Sequence, residues 1–359
     1  MEIVLITAGN GFVGQHFMKH LQLHAPSTLR QIRVLDLKQF EKRLDYDNQV
    51  PVKSFLGTVF DSSALNDALD GVDTVVHLHE LKDTSMLPDR QAMNRINVQG
   101  IKTIAEACKH RTHIKRFLML SSSDIMLCNH VACDANVSEI WAVPEDKWAY
   151  PDYCASKYEA ERILFSYDTF QSMAARMTPV YGELDKEEWG IGMHLRLGKR
   201  LNGNVPVLGD RQGTIMHTYI GNAAYAMVKM LDKMVADPTA TKEAVFLLDD
   251  TPMLDFYTIM EPIVQSRGYK LVNIPLWFML FFILYWLLEK FAHRTETLYC
   301  FGLKPLLKKL PASRVLYNYC YTYTTFNPFK GLIYIGYKPL YSHEEALERC
   351  TKHYANEDL

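Results

Sequence analysis

The sequence lacks an excess of charge of either sign. Among its 359 residues, 39 Lys and Arg face 41 Asp and Glu, which gives a formal net charge of −2 at pH 7. A protein that binds nucleic acid through general electrostatics needs a basic surface, so we expect no nucleic-acid partner. Hydrophobic residues make up 48% of the chain, which argues against disorder and is enough for a sizeable core.

Paired cysteines are also missing. The seven cysteines are odd in number and scattered, and no Cys-x-x-Cys pair occurs among them. This pattern argues against a disulfide framework or a zinc site, so we expect small buried thiols in a reducing compartment and no metal. The cysteines are Cys108, Cys128, Cys133, Cys154, Cys300, Cys320 and Cys350.

Short apolar runs alternate with helical patterns over the first half of the chain, and no signal peptide, internal repeat or low-complexity linker is evident. The predicted strands cover 2–7, 32–36, 52–56, 73–78, 116–121 and 174–180, and the predicted helices cover 12–23, 62–69, 91–110 and 150–166. Strands that alternate with helices predict an α/β fold, a doubly wound parallel sheet covered on both faces. We assign residues 1–181 to this sheet domain and residues 182–359 to a smaller substrate-binding region, with candidate helices near 189–202, 221–236, 255–267 and 342–354.

A glycine-rich turn, Thr7–Gly14, follows the first predicted strand and runs into a helical pattern. Glycines let the backbone turn tightly and approach a pyrophosphate, whose charge then lies at the helix N-terminus. Ala8 takes the first position of the usual Gly-x-x-Gly-x-x-Gly spacing and suits the turn if its φ is negative. The predicted cofactor contacts in this turn are Gly9, Gly11, Phe12, Val13 and Gly14.

An acidic residue ends the second predicted strand. Asp36 closes the run Ile-Arg-Val-Leu-Asp after the glycine-rich turn. A carboxylate at this place accepts hydrogen bonds from both adenosine ribose hydroxyls and repels a 2′-phosphate. The turn and the aspartate together predict NAD as the cofactor, in preference to NADP.

A tyrosine and a lysine one helical turn apart mark the candidate chemistry. Tyr153 and Lys157 stand at positions i and i+4 of the predicted helix 150–166, which places them on one face. An ammonium beside a phenol favours the phenolate, so we expect the pKa of Tyr153 to fall below about 10 and the residue to act as a general base. The same spacing recurs at Tyr225/Lys229 and Tyr334/Lys338, and only the first copy follows a serine cluster.

These segments resemble, in order and spacing, the extended short-chain dehydrogenases/reductases, and among them most of all the 3β-hydroxysteroid dehydrogenase/Δ5-isomerase family. The resemblance implies a Rossmann fold and NAD-dependent oxidation of the 3β-hydroxyl of a steroid or sterol, with Δ5–Δ4 isomerisation as an optional second step. The segments that carry it are Thr7–Gly14, Asp36, Asn97–Gly100, Ser121–Ser123, Tyr153-x-x-x-Lys157, Arg176–Glu183 and Gly336–Leu340.

The resemblance also implies a role for each catalytic residue. Tyr153 takes the substrate hydroxyl proton as hydride leaves for the nicotinamide, and Lys157 holds the nicotinamide ribose. Ser123, the last serine of the cluster, orients the substrate oxygen. Asn97 holds the active-site backbone.

Two further residues, Asp61 and His77, complete the predicted cofactor contacts, although a core or loop histidine satisfied by backbone groups is the alternative for His77. The chain departs from the family pattern at His79-Glu80, where the family has two alanines, and at Thr58, where it has an aspartate. Ile125 stands where the family often has a glutamate. These departures leave open a catalytically silent NAD-binding membrane scaffold, and a nucleotide-sugar epimerase or reductase is the other alternative.

The longest uncharged stretch lies between Lys270 and Glu289. Asn273 and Pro275 suit a helix start, and Leu276–Leu288 is apolar throughout. Its length is marginal for a bilayer span, so segment 271–288 predicts a membrane-associating helix that inserts or lies shallowly beside the substrate entrance, with a buried core helix as the alternative. The resemblance implies an endoplasmic-reticulum membrane, with the catalytic domain facing the cytosol, or a mitochondrial membrane. The expected partners are a steroid or sterol, membrane lipid and a second copy in a homodimer.

Overall fold

The computed structural model describes residues 1–24, 26–128, 133–141, 143–186, 190–208, 211, 213–274, 278–294 and 304–357. Its strands in chain order are β1 (Ile3–Thr7), β2 (Gln31–Asp36), β3 (Val52–Leu56), β4 (Thr74–His77), β5 (Arg116–Ser122), β6 (Cys133–Val137), β7 (Gln171–Met177), β8 (Val180–Tyr181), β9 (Asn204–Val207), β10 (Thr214–Ile215), β11 (Thr218–Tyr219), β12 (Glu243–Leu247), β13 (Lys270–Asn273) and β14 (Tyr323–Phe326). Its α-helices are α1 (Phe12–Leu23), α2 (Ser62–Leu69), α3 (Arg90–Met93), α4 (Gly100–Lys109), α5 (Pro151–Phe165), α6 (Ile191–Arg200), α7 (Ile220–Ala236), α8 (Phe256–Ser266), α9 (Phe278–Arg294), α10 (Lys304–Leu307), α11 (Ser313–Tyr321) and α12 (His343–Asn356).

Seven strands form a parallel sheet in the order β12-β7-β5-β4-β1-β2-β3. The central strand β1 pairs with β2 on one side and β4 on the other, so that Thr7 lies opposite Leu35 and His77. The carboxyl ends of parallel strands meet at one edge, and in open α/β sheets the ligand site lies outside that edge. The predicted doubly wound α/β sheet is confirmed.

Helices cover both faces of the sheet because successive side chains of each strand point to opposite sides. Val4 and Ile6 of β1 belong to a core shared with α1 and α7, whereas Leu5 belongs to a second core shared with α2, α4 and α5. The division of the chain at residue 181 stays a prediction, and the edge strand β12 comes from the residues after it.

The structure differs from the predicted elements at two places that bear on the site. The predicted helix 91–110 consists of α3, a π-helical stretch over Asn94–Gln99, and α4. The predicted strand 174–180 ends at Met177, and β8 pairs separately with β11. Wide π-helical turns inside helices often occur at functional sites, and this one carries Asn97.

A buried ion pair joins the sheet to α5. Arg176 donates through Nε and Nη2 to the two carboxylate oxygens of Glu161, at 3.0 and 2.8 Å, and through Nη1 to the carbonyl of Glu139 at 2.9 Å. The hydroxyl of Ser121 donates to the same carboxylate at 2.5 Å. Both charged side chains are at least nine-tenths buried, so each depends on the other for compensation.

Helix α9 buries one face and exposes the other. Tyr285 and Ala292 pack in a small cluster with Met86 and Leu316, and Glu289 accepts a hydrogen bond from Ser313 N at 2.9 Å. The exposed face carries Ile283, Leu284, Trp286, Leu287, Leu288 and Phe291. None of the helices in the described ranges is long and apolar enough to cross a membrane.

Asn273, the predicted N-cap of the apolar helix, is instead the last residue of strand β13, and α9 is described from Phe278. Pro275, Leu276 and Cys300 lie outside the described residues. The other six cysteines form no disulfide with one another, and four of them are buried. The second copy expected in a homodimer stays a prediction.

Candidate active site

The turn between β1 and α1 has the close packing that a pyrophosphate cradle needs. A Cβ atom added at Gly14 would lie 2.5 Å from the carbonyl oxygen of Ala8 and 2.6 Å from that of Gly9, so glycine is required there. Gly11 is the N-cap of α1 and provides no side chain to bond the first N–H groups of the helix. Such N–H groups, together with the helix dipole, favour an anion, so the turn fits NAD.

Ala8 adopts the left-handed conformation, so the expectation of a negative φ is wrong. Its φ is +55°, its N–H donates to the carbonyl of Leu35 at 3.1 Å, and its own carbonyl accepts from Gly11 N at 3.1 Å. These two backbone bonds hold the residue in a region that costs a non-glycine residue about 1–2 kcal/mol.

We expect Ala8→Gly to raise the free energy of unfolding by about 0.5–1 kcal/mol, because relief of this strain exceeds the extra chain entropy that glycine loses on folding. Urea unfolding would measure the change. The control Ala107→Gly, inside helix α4, should instead lower stability by about 1 kcal/mol. Equal losses in both variants would contradict the strain at Ala8.

Asp36 lies beside the turn, as the nucleotide interpretation requires. Its Oδ2 accepts a hydrogen bond from Asn10 N at 3.0 Å, and the side chain is half-buried. Asp61 lies in the connection between β3 and α2, and it caps α2 by accepting a hydrogen bond from Ala64 N at 3.2 Å. The cap is a structural role that the sequence analysis missed, and contact of Asp61 with a cofactor stays a prediction.

His77, at the end of β4, is buried and neutral. Its Nδ1 lies 2.9 Å from the hydroxyl of Thr7 and forms a hydrogen bond with it, and the same hydroxyl accepts from Leu78 N at 3.1 Å. The partner is thus a side chain and not the backbone groups that the core alternative supposed. Burial first, and then His79 and Lys157, lower the pKa of His77 to about 3. Contact with a cofactor stays a prediction here as well.

Tyr153 and Lys157 lie on α5 as the spacing predicted, and both are buried. Lys157 Nζ donates to the carbonyl of Leu120 at 2.7 Å and pairs with Glu80 Oε2 at 2.9 Å. The phenol of Tyr153 donates to the same carboxylate oxygen at 3.2 Å. One oxygen of Glu80 therefore joins the two residues that the sequence pattern selected.

This arrangement raises the pKa of Tyr153 well above 10, so the expected lowering by Lys157 is wrong for the protein alone. Burial is the main cause, and the carboxylates of Glu80 and Asp124 add to it. Because Glu80 pairs with Lys157, much of the ammonium charge that would favour a phenolate is compensated.

Ser122, and not Ser123, lies beside the phenol. A hydrogen bond links the side chains of Ser122 and Tyr153, and Ser122 lines the cavity described below. The side chain of Ser123 is fully buried and has no hydrogen-bond partner within the described part of the chain. Strand β5 extends one residue beyond its predicted end, so the turn begins at Ser123 and carries it away from the site.

A second ion pair lies next to the phenol. Lys82 Nζ pairs with Asp124 Oδ2 at 2.6 Å and lies 5.3 Å from the ring centroid of Tyr153. Burial opposes the charge on Lys82, but the carboxylate of Asp124 outweighs it and raises the pKa of the ammonium. The sequence analysis missed both residues, although Asp124 is the first acid after the serine cluster.

Asn97 fixes the backbone after β4 in the way that the family resemblance implied. Its side-chain amide donates to the carbonyl of Leu81 at 2.8 Å and its Oδ1 accepts from Leu81 N at 2.8 Å. The amide also donates to Ser156, whose hydroxyl donates to the carbonyl of Tyr153 at 2.7 Å. Asn97 therefore couples the segment that carries Glu80 to the helix that carries Tyr153.

A cavity of about 400 Å³ connects these groups. It begins at Phe12 and Val13 beside the glycine-rich turn and passes Ser122 and Tyr153. Its wall is more apolar than polar, and the apolar side chains include Leu127, Met177, Ile215, Phe256 and Val315. The arrangement suits a nucleotide at one end and a hydrophobic alcohol at the other.

Comparison with known proteins gives one family and one fold. The sequence profile of the 3-beta hydroxysteroid dehydrogenase/isomerase family matches residues 5–277. A sterol-4-alpha-carboxylate 3-dehydrogenase (decarboxylating) of Candida albicans is 26% identical over 277 residues, which are 75% of this chain and 76% of that protein. A UDP-glucuronic acid 4-epimerase from Bacillus cereus, solved with UDP-glucuronic acid and NAD, has a similar structure with a TM-score of 0.68 at 16% identity over 98% of both chains. A UDP-galactose 4-epimerase is similar to the same degree, at 15% identity over 98% of both chains. At such identities the two structures show the fold alone.

Proposed function

The chain belongs to the 3-beta hydroxysteroid dehydrogenase/isomerase family, and from this membership we propose that it oxidises the 3β-hydroxyl of a neutral steroid or sterol with NAD. The continuous cavity carries the proposal, because it joins the glycine-rich turn to Tyr153 and continues along apolar side chains such as Phe256. NAD is the cofactor named for the structure of the Bacillus cereus epimerase of the same fold, and the turn fits it.

Each residue of the site has a definite part in this reaction. Ser122 and Tyr153 would hold the substrate oxygen between them, since both line the cavity and bond each other. Lys157 has two of its three N–H donors occupied by Leu120 and Glu80, which leaves one for a ribose hydroxyl. NAD, when bound, supplies the hydride acceptor.

The charges that line the cavity favour a neutral substrate. Among the described residues, the charged side chains on its wall are Glu80, Asp124, Asp185 and one ammonium, Lys82, which Asp124 already pairs. The diphosphate of a nucleotide sugar would lie in a cavity whose wall, among the described residues, has three carboxylates and only Lys82 as a basic donor, so such a substrate fits poorly. A sterol with a carboxylate next to its hydroxyl, the kind of substrate named for the Candida relative, would place that carboxylate near Glu80 and Asp124, whose lysine partners are already engaged.

The test is a substrate panel with purified protein and NAD, followed by NADH absorbance. The panel holds neutral 3β-hydroxysterols, their 4-carboxylates and nucleotide sugars. NADH should form with a neutral sterol, and absorbance of a conjugated ketone would report isomerisation as a second step. NADH from nucleotide sugars alone would replace the proposal with the epimerase or reductase alternative.

One observation favours a catalytically silent NAD-binding scaffold. The carboxylate of Glu80 occupies both the phenol of Tyr153 and the ammonium of Lys157, and the pKa of the phenol is raised. If NAD binds and no member of the panel yields NADH, the scaffold is the better account.

The cofactor preference should depend on Asp36. Because its carboxylate lies at the turn and repels a 2′-phosphate, wild type should bind NAD at least about tenfold more tightly than NADP. In Asp36→Ala the two affinities should approach each other, as titration calorimetry would show. Asp67→Ala is the control, since this aspartate is exposed on α2 and should leave the ratio unchanged. Equal affinities in wild type would contradict the assignment.

We propose that the exposed face of α9 rests on a membrane surface of the endoplasmic reticulum or mitochondria. Leu284 and Leu287 are about half exposed on this face, beside Trp286, whose ring Lys290 approaches at 5.8 Å. The opposite face packs on Met86, two residues after Thr84 on the cavity wall. A sterol could thus pass from lipid to the cavity over a short path.

Charging this face should release the protein from lipid. We expect Leu284→Glu/Leu287→Glu to weaken binding to phosphatidylcholine vesicles at least about tenfold, because each buried leucine contributes roughly 1.5–3 kcal/mol. Ile333→Glu, at an apolar residue that is 76% exposed elsewhere, is the control. If wild type stays in the supernatant when vesicles are sedimented, the membrane proposal is wrong.

A further inference from the structure

Glu80 follows β4 in a segment that the structure holds firmly. The backbone of the adjacent Leu81 is bonded on both sides by Asn97, whose amide also reaches the helix of Tyr153 through Ser156. These bonds fix the backbone next to Glu80, so the protein sets the position of its carboxylate beside the phenol. Its side chain is 25% exposed, so it also contacts solvent.

We propose that Glu80 is the proton acceptor behind Tyr153 in the oxidation, an inference that rests on the proposed function. NAD, when bound, would accept the hydride that leaves C3, and the substrate hydroxyl proton would pass to the oxygen of Tyr153. The phenol proton passes at the same time to Glu80 Oε2. The products are the 3-ketone, NADH, neutral Tyr153 and protonated Glu80, which returns its proton to water.

The geometry favours this relay over a free phenolate. The phenol already donates to Glu80 Oε2, the acceptor that the transfer needs, at 3.2 Å. Burial and neighbouring carboxylates disfavour a negative Tyr153, whereas a concerted transfer never leaves charge on the phenol. Lys157 Nζ lies 2.9 Å from the same oxygen of Glu80. This contact orients the carboxylate toward the phenol.

The other charged groups around Glu80 do not replace it as the acceptor. His79 lies next to it, and burial, as the main cause, lowers the pKa of that imidazole, so it is neutral near pH 7. Asp124 faces the phenol but is engaged by Lys82 at 2.6 Å. Glu80 is thus the one carboxylate, among the described residues, that accepts directly from Tyr153.

The test replaces the acceptor and keeps its shape. Glu80→Gln retains a hydrogen-bond acceptor but cannot take up a proton, so kcat with the best neutral sterol should fall about 10²-fold while Kd for NAD changes less than about threefold. In wild type, kcat should fall at low pH, because a protonated carboxylate cannot accept the proton of the phenol. In Glu80→Gln this low-pH fall should vanish, while Tyr153 stays protonated because burial is the main cause of its raised pKa.

Glu159→Gln is the matched control, because this glutamate pairs with Arg162 on the exposed side of the same helix and should keep the wild-type pH profile. Unchanged or increased turnover in Glu80→Gln would overturn the proposal and mark the carboxylate as an obstacle.

A second measurement separates this inference from the proposed function. Ultraviolet titration of tyrosinate, taken as the difference between each protein and its Tyr153→Phe counterpart, should show Tyr153 ionising at lower pH in Glu80→Gln than in wild type. If wild type oxidises no sterol, the proposed function fails. The titration would then still show whether Glu80 contacts Tyr153. An unchanged titration of Tyr153 would refute the contact on which the relay depends.

Discussion

Tyr153→Phe should lower turnover by a factor of about 10² or more while NAD binding stays near its wild-type value. The ring is buried and keeps its packing in the variant, so only the hydroxyl between Ser122 and Glu80 is lost. Without that oxygen the substrate proton has no path to the carboxylate. NADH formation measures kcat, and quenching of protein fluorescence by NAD measures binding.

The chain provides its own control for this result. Tyr225 stands four residues before Lys229, whose ammonium lies 5.5 Å from the ring centroid, yet neither residue lines the cavity. Tyr225→Phe should therefore keep normal turnover. Near-normal activity in Tyr153→Phe would rule out the chemistry, whereas loss in both variants would point to a general effect on folding.

Arg176→Met should lower the free energy of unfolding by about 3–5 kcal/mol, the cost of leaving a buried charge without its partner. Glu161 would lose two charge-assisted hydrogen bonds and keep only the hydroxyl of Ser121. Urea unfolding followed by circular dichroism would measure the loss. The variant should also disturb the end of β5, because Ser121 precedes Ser122 on that strand.

Two comparisons show whether the pair itself is responsible. Arg162→Met breaks an ion pair that is largely exposed, with Glu159, and should cost less than about 1 kcal/mol. The double variant Arg176→Met/Glu161→Leu should recover much of the loss, since removing both buried charges avoids the uncompensated one. If Arg176→Met alone lost no more stability than Arg162→Met, the result would contradict a buried charge left without its partner.

Local patterns predicted the sheet and the position of α5 because each depends on residues close in sequence. The apolar runs of β1, β2 and β4 and the glycines before α1 have few other interpretations. The positions of Asp36 beside the turn and of Tyr153 and Lys157 on α5 were predicted for the same reason. The edge strand β12 was missed, since it joins the sheet from far along the chain.

The errors at the site have a different origin. The prediction of Ser123 depended on where β5 ends, because one residue at a strand end decides which side chain faces the cavity that Ser122 lines. A role for Ser123 stays a prediction. In the sequence, Glu80 was only a departure from the family pattern. Its contact with Tyr153 was not predicted, because the two residues are 73 positions apart. No local pattern contains that distance. The sign of the pKa shift at Tyr153 was wrong for the same reason.

The late arrival of β12 has a consequence for the protein during its synthesis. Strand β12 pairs along its whole length with the last five residues of β7, from Glu243 opposite Met173 to Leu247 opposite Met177. Until residues 243–247 leave the ribosome, the nascent chain presents the edge of β7 unpaired, and an apolar strand edge is a template for pairing with other chains. A fragment that stops before Glu243 would contain Tyr153 and Lys157 and still aggregate through this open edge.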